Sequence, residues 1–310
     1  RVRGLPAGSG GQGHLGSESS SHAGELSRPR SNQRPGAGAR AVRRRVSPEA
    51  SGKRSSFFEA SFVLLGSLPL IVVLWPLLAT LLNTSGGQLL AVLHDDEVLR
   101  SLGVTFYAAT LATLIALVTG VPLAYLLARY DFRGRAWLAA IVDLPVVIPH
   151  TAAGIALLGV VGRRAPLGRA AAAFGVAFTG SVPGITAAML FVSLPFLING
   201  AREAFALIDP ELEMVALVEG ASRWQAFRYV TLPLAWRGIL AGALMMWARA
   251  LSEFGAVVIL AYHPTIVPVL VYERFAGFGL DAARPIAVLL ILAALTVFVL
   301  LRTVLRRSEV

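Results

Sequence analysis

Cysteine is absent from the 310 residues, which excludes disulfides, thiolate metal sites and cysteine nucleophiles together. Lysine occurs once, as Lys53, and Arg54 follows it. A phosphate-cradling loop needs G-x-x-x-x-G-K-[ST], because its lysine must reach the phosphates, so the chain has no ATP site of that kind. The five histidines, at 14, 22, 94, 150 and 263, form no pair at ligand spacing on one helix, and no metal site is expected. Charge is scarce as well: charged residues make up 15% and hydrophobic residues 55%, with a mean hydropathy of +0.68. Ordinary globular chains carry about 25% charged residues. With so little charge the apolar surface cannot face water, and the bilayer is the expected solvent.

The net charge of +10 points to nucleic acid only until it is mapped. Residues 1–56 hold 11 of the 28 Lys and Arg but 3 of the 18 Asp and Glu, leaving 17 bases against 15 acids in the rest. Nucleic acid is therefore not an expected partner. Residues 1–56, rich in Gly, Ser, Pro, Arg and Ala, read as a disordered basic tail near anionic lipid. The apolar run that follows is too long for the apolar part of a cleavable signal peptide.

A helix needs roughly 20 apolar residues to cross a hydrocarbon core of about 30 Å. Six stretches meet this within a membrane domain over 57–305: Phe57–Leu82, Leu102–Ala128, Ala136–Val161, Ile185–Phe205, Leu234–Ala261 and Pro285–Leu301. Residues 162–184 include a further short apolar segment, 170–178, that can re-enter the membrane. Lys and Arg favour a cytoplasmic N-terminus: without the tail, 10 lie on that side and 6 on the other, although Arg163, Arg164 and Arg169 oppose the trend. Six spans then leave both termini, including 306–310, in the cytoplasm of a cell whose plasma membrane the chain crosses.

The long loop between the fourth and fifth spans has its own helix signals. Asp209 can cap, Pro210 suits a first helical position, and Glu211 and Glu213 complement the positive helix end. Leu212, Val215 and Ala216 are expected to share a face. Gly220 can end this helix in the left-handed region, and Ser222-x-x-Gln225 reads as a capping box opening a second helix that carries Trp224 and Phe227. Leu232-Pro233 is expected to end it. A helix–Gly–helix knob at 209–233 serves either as an elbow re-entering the membrane or as a docking surface for a soluble partner.

The spacing from Met214 to Pro233 resembles the EAA loop of ABC importer permeases, in which Glu-Ala-Ala is followed three residues later by Gly and then by an aliphatic-x-Leu-Pro end. Here Gly220 is followed by Val230-Thr231-Leu232-Pro233, while Met214-Val215-Ala216 stands where the pattern has Glu-Ala-Ala. Further runs resemble the molybdate/tungstate branch: Asp143 to Gly154, Asn199 to Glu203, Met246 to Ala256 and Pro268 to Phe275. The resemblance implies an all-α integral membrane fold of the type I importer class, with six transmembrane helices and a cytoplasmic coupling loop. It implies a homodimer, two separate ATP-hydrolysing subunits that hold ATP and magnesium, an external oxyanion-binding protein, and no cofactor on this chain. The chain is then a transport subunit and not an enzyme. Coupling to the ATPase would fall to Glu213, Met214, Ala216, Gly220, Ala221, Trp224 and Pro233. Sulfate or another oxyanion is the alternative cargo, and a secondary anion transporter the alternative class.

Ionisable groups within spans cost at least a few kcal/mol and face the bundle interior or a cavity. Asp143, Arg249 and Glu253 qualify, and with Pro145, His150 and Ser252 they are the candidates for the translocation route. Arg249 and Glu253, four apart, share a helix face. They either place a guanidinium near a dianion's path or form an internal salt bridge that holds packing. Asp143 either caps a broken helix or joins a polar network, and His150 is expected to be a hydrogen-bonded helix residue. Gly238-x-x-x-Gly242 offers a close-packing face, within the chain or at a dimer seam.

Overall fold

The computed structural model describes residues 49–307, with side chains over 58–300 and at 302 and 303. The expected tail lies, through residue 48, outside the described residues. Two units are delimited, Arg1–Phe62 and Val63–Val310. In the first, the described part is helical, and Phe58 and Phe62 have ring centroids 4.4 Å apart. The helix starts at Glu49, so it takes in 49–56, which composition alone places in the tail.

All described elements are helical. In chain order, α1 spans Glu49–Leu82, α2 Gly86–Leu93, α3 Asp96–Arg129, α4 Arg135–Val147 and α5 His150–Val161. Then come α6 Pro166–Ala173, α7 Val182–Ala206, α8 Pro210–Val218 and α9 Arg223–Ala226. A π-helical turn, Phe227–Thr231, leads into α10 Leu232–Leu251, followed by α11 Gly255–Leu260, α12 Val267–Phe278 and α13 Leu280–Arg307. Five of these helices, counting Arg223–Leu251 as one, are long and apolar enough to cross a membrane; α4 and α5 together make a sixth if they form one span.

That pair falls where one span, Ala136–Val161, was expected. The two helices meet at 115°, broken at Ile148-Pro149. Proline lacks the N–H that would continue the ladder, and it pushes the preceding Ile148 to ψ 136°. The fifth span ends before the expected Ala261 for a related reason. α10 stops at Leu251, and Glu253 turns inward to accept the Ala256 N–H at 2.8 Å, opening the six-residue α11.

The core is formed by α3, α7 and α10, and small side chains set its spacing. Ser101, Thr105, Ala108, Ala112 and Ala116 make a buried stripe on α3 at three- and four-residue intervals. In lipid, such stripes allow the backbone approach and dispersion contact that hold helices together. Gly238 and Gly242 resolve the choice left by the sequence, because they pack within the chain against α7. A Cβ on Gly238 would stand 2.3 Å from the Ala204 Cβ, and one on Gly242 3.4 Å from the Gly200 Cα. Trp247 Nε1 donates to Thr110 Oγ1 at 3.1 Å, joining α10 to α3.

The two ends of α3 carry different machinery. Its first turn is capped by Asp95 and meets α12, where Arg274 bridges Asp95 at 3.2 Å and Glu97 at 2.6 Å. Thr105 accepts the Val267 N–H at 2.9 Å nearby. On the same side, Tyr262 donates to Glu273, and that bond is the main reason its pKa stands above the ordinary tyrosine value. The opposite end, at Arg129, meets the 209–233 loop.

Candidate functional site: a coupling loop and an intramembrane charge cluster

The loop forms as its local signals dictate. Asp209 accepts the Glu211 N–H at 2.9 Å and Pro210 occupies the first turn of α8. Gly220 has φ +94°, a region where a Cβ is strained. Gly220 N–H reaches Leu217 O at 3.1 Å and Ala221 N–H reaches Ala216 O at 3.0 Å, the bonding pattern of a Schellman end. Ser222 and Gln225 close a reciprocal capping box, with bonds of 3.3 and 2.7 Å.

Leu212, Val215 and Ala216, expected on one face, do not share one environment: Leu212 and Val215 are exposed, and the half-buried positions on α8 are Glu213 and Ala216. The acid turns inward because donors await it there: Tyr125 Oη at 2.9 Å, Arg129 Nε at 3.0 Å and Thr231 Oγ1 at 2.7 Å. Nor does Leu232-Pro233 end the second helix. The π-turn spaces hydrogen bonds five residues apart, with Leu232 N–H reaching Phe227 O, so Pro233 falls in the first turn of α10 and the helix continues.

Much of what the loop leaves outward is apolar, although Glu211, Glu219, Arg223 and Arg228 are exposed too. Leu212, Met214, Val215, Val218 and Trp224 are all exposed, Val218 at 85% and Trp224 at 68%. At the end of a membrane helix, beside Arg129, Arg223 and Arg228, such a patch is suited to a protein or a membrane contact. Gly220 and Ala221 form the bend between its two halves.

The second site lies farther along the bundle. Thr110, the α3 partner of Trp247, is 19 residues from Arg129, a rise of about 28 Å. Two residues past Trp247, Arg249 Nη2 contacts Glu253 Oε2 at 2.9 Å and the His150 ring nitrogens at 2.9 and 3.1 Å. His150 Nδ1 lies 3.5 Å from the same carboxylate oxygen, and Arg249 Nη1 donates to Ser252 Oγ at 3.3 Å. Glu253 is fully buried, whereas the side chains of Arg249 and His150 keep 20% and 40% exposure. The guanidinium thus has one face neutralised by a buried acid and the other reachable. Tight contact supports the cluster: a Cβ on Gly255 would meet the His150 Cβ at 2.8 Å, and one on Gly154 would meet the Ile259 Cβ at 2.8 Å.

His150, Arg249, Ser252 and Glu253 therefore come together, and Asp143 and Pro145 do not join them. Pro145 is buried within α4. Asp143 accepts from Asn199 Nδ2 at 2.6 Å, tying α4 to α7, and lines a cavity of about 1050 Å³ between α4, α7 and α10. Glu203 and Asp209 also line this cavity and no basic residue does, so a dianion gains nothing by lodging there. Tyr125 and Arg129 were missed as site residues by sequence reasoning, and Asn199 and Thr231 entered it only within the resembling runs. Arg129 left a trace as a charge closing an otherwise apolar span. No group of three or more metal-ligating side chains occurs among the described residues.

Residues 120–309 match the family of binding-protein-dependent transport system inner membrane components. A molybdate/tungstate transport system permease protein of Thermococcus kodakarensis is 43% identical over 250 residues, 80% of this chain and 96% of that one. A sulfate transport system permease protein of Escherichia coli is 32% identical over 232 residues, 74% of this chain and 84% of its own. Among solved structures, a bacterial alginate ABC transporter complexed with its pentasaccharide-bound periplasmic protein has a chain at TM-score 0.68 and 18% identity. The match covers 84% of this chain and 98% of that one. An inward-facing methionine ABC transporter matches at TM-score 0.55 and 17% identity, over 68% and 95% of the two chains.

Proposed function

The chain belongs to the family of binding-protein-dependent transport inner membrane components, and on that premise we propose that it is the permease subunit of an ATP-driven importer of tungstate and molybdate. The coupling loop carries the reading. Its three local stop and start signals are satisfied, its outer face is largely apolar, and the chain has no lysine that can serve a nucleotide. ATP and magnesium belong to a partner ATPase that seats on Met214, Val215, Val218 and Trp224. The identity of the cargo follows the relatives' names, with sulfate the alternative because sulfate permeases are also related, at lower identity.

In the assembly we propose, two copies of the chain meet two ATPase subunits in the cytoplasm and one oxyanion-binding protein outside, in the plasma membrane, with both termini cytoplasmic. Closure of the ATPases draws the two coupling loops together and reorients the helix bundles. Arg249 offers the dianion a single, half-neutralised guanidinium, which attracts it without retaining it.

Reconstitution in liposomes with the ATPase and the binding protein tests the reading. Tungstate and molybdate uptake is expected only with ATP. Uptake driven by an ion gradient in its absence overturns the class, and transport of sulfate alone overturns the cargo.

A further inference from the structure

We infer that Glu213 is a positioning residue that carries motion of the coupling loop into the transmembrane helices, acting from the inner face of α8 and not at the ATPase contact. The inference rests on the coupling reading above. One carboxylate gathers donors from two places: Tyr125 and Arg129 on α3, and Thr231 in the π-turn that heads α10. Arg129 also donates through Nη1 to Ile208 O at 2.9 Å, just past the end of α7. The carboxylate therefore ties α8 to α3 and to the π-turn that heads α10, and Arg129 extends the tie to the residue just past α7. The side chains of Arg129 and Glu213 keep 9% and 16% exposure, and Thr231 is fully buried. Beneath them, the Tyr125 ring packs on Phe205 at 5.4 Å and Phe227 at 4.8 Å.

The joint is needed because α8 cannot hold itself. It has nine residues and none of them is buried, and a helix so short is marginal alone. A push on Met214 or Val218 would be absorbed as tilt unless the helix were fastened to the bundle. With Glu213 in place, tilting α8 means leaving a charged group without its donors, so loop and bundle move as one body. The position where related loops carry the acid holds Met214, which faces outward, whereas the acid present at 213 faces in.

The test uses the whole complex in liposomes, measuring assembly, ATP hydrolysis and tungstate uptake for Glu213→Gln. Assembly and hydrolysis are expected to persist, while ions moved per ATP fall about tenfold. Arg129→Gln should lower the same ratio, and the double variant should be no worse than either single one. An unchanged ratio in the assembled complex overturns the inference. If Glu213→Gln does not assemble, Thr231→Val and Tyr125→Phe each remove one donor and should lower the ratio partway; no change in both overturns it equally. A readout independent of transport is available because the chain has no cysteine of its own. Spin labels at Glu219→Cys and Arg133→Cys should give a narrow distance distribution that broadens with Glu213→Gln, and an unbroadened distribution refutes the joint. Absent ATP-driven uptake by the unaltered complex would count against the importer reading, while the spin-label distances would still decide the role of Glu213.

Discussion

Replacing Arg249 by leucine separates the two roles a buried charge pair can have. Glu253 has no exposed surface; its Oε2 receives Arg249 at 2.9 Å and its Oε1 receives the Ala256 N–H at 2.8 Å. Removing one partner of a buried pair costs about 3–5 kcal/mol, because the other charge is left uncompensated. Here the Ala256 bond survives and Arg249 is itself partly exposed, which favours the lower end. A loss of about 3 kcal/mol is roughly a hundredfold in the folded-to-unfolded ratio. Arg249→Leu combined with Glu253→Gln removes the stranded charge and keeps the Ala256 acceptor, so stability should return to within about 1 kcal/mol of the original. Thermal unfolding in detergent, followed by tryptophan fluorescence, measures the first quantity, and tungstate uptake by the assembled complex measures the second. If Arg249 touches the passing ion, the double variant is stable and still transports poorly. Recovery of transport together with stability would show that the arginine only packs. Full stability of the single variant would refute the assignment of a buried pair.

Three further outcomes are expected. Gly238→Ala places a Cβ 2.3 Å from that of Ala204 and should destabilise by about 1–3 kcal/mol. Ala204→Gly in the same chain should restore the melting temperature. Trp224→Asp alters a side chain that is 68% exposed, so folding should change by less than about 1 kcal/mol, while copurification of the ATPase is lost. Gly154→Ala drives a Cβ to 2.9 Å from Ala256 O, a backbone atom that cannot rotate away. It should lower uptake by loosening α5 from α11 while leaving ATPase copurification unchanged.

Much of the 209–233 loop was legible because its signals are local. Asp209-Pro210, Gly220 and Ser222-x-x-Gln225 each act within four or five residues, through bonds the backbone must make wherever the segment lies. The inward turn of Glu213 was not legible, because periodicity ranks an acid below Leu212 and Val215 for burial. Its three donors are distant in sequence, 88 residues away in the case of Tyr125. The continuation through Pro233 was hidden for a similar reason. A proline ends a helix in ordinary register, and nothing in Phe227–Thr231 announces a π-turn.

The charge cluster divides in the same way. Arg249 and Glu253 share a helix face by spacing alone, and their proximity needs no structure to predict it. His150 joins them only because α5 bends back at Pro149 and meets α11 through Gly154 and Gly255. Composition and hydropathy were sufficient to choose the bilayer as solvent and to locate most of the spans, since each depends on sums along the chain. Which side chains meet, which acid turns inward and which glycines face which helix were decided by packing. Contacts between distant residues are selected by the fit of whole helix surfaces, and no local window contains that information.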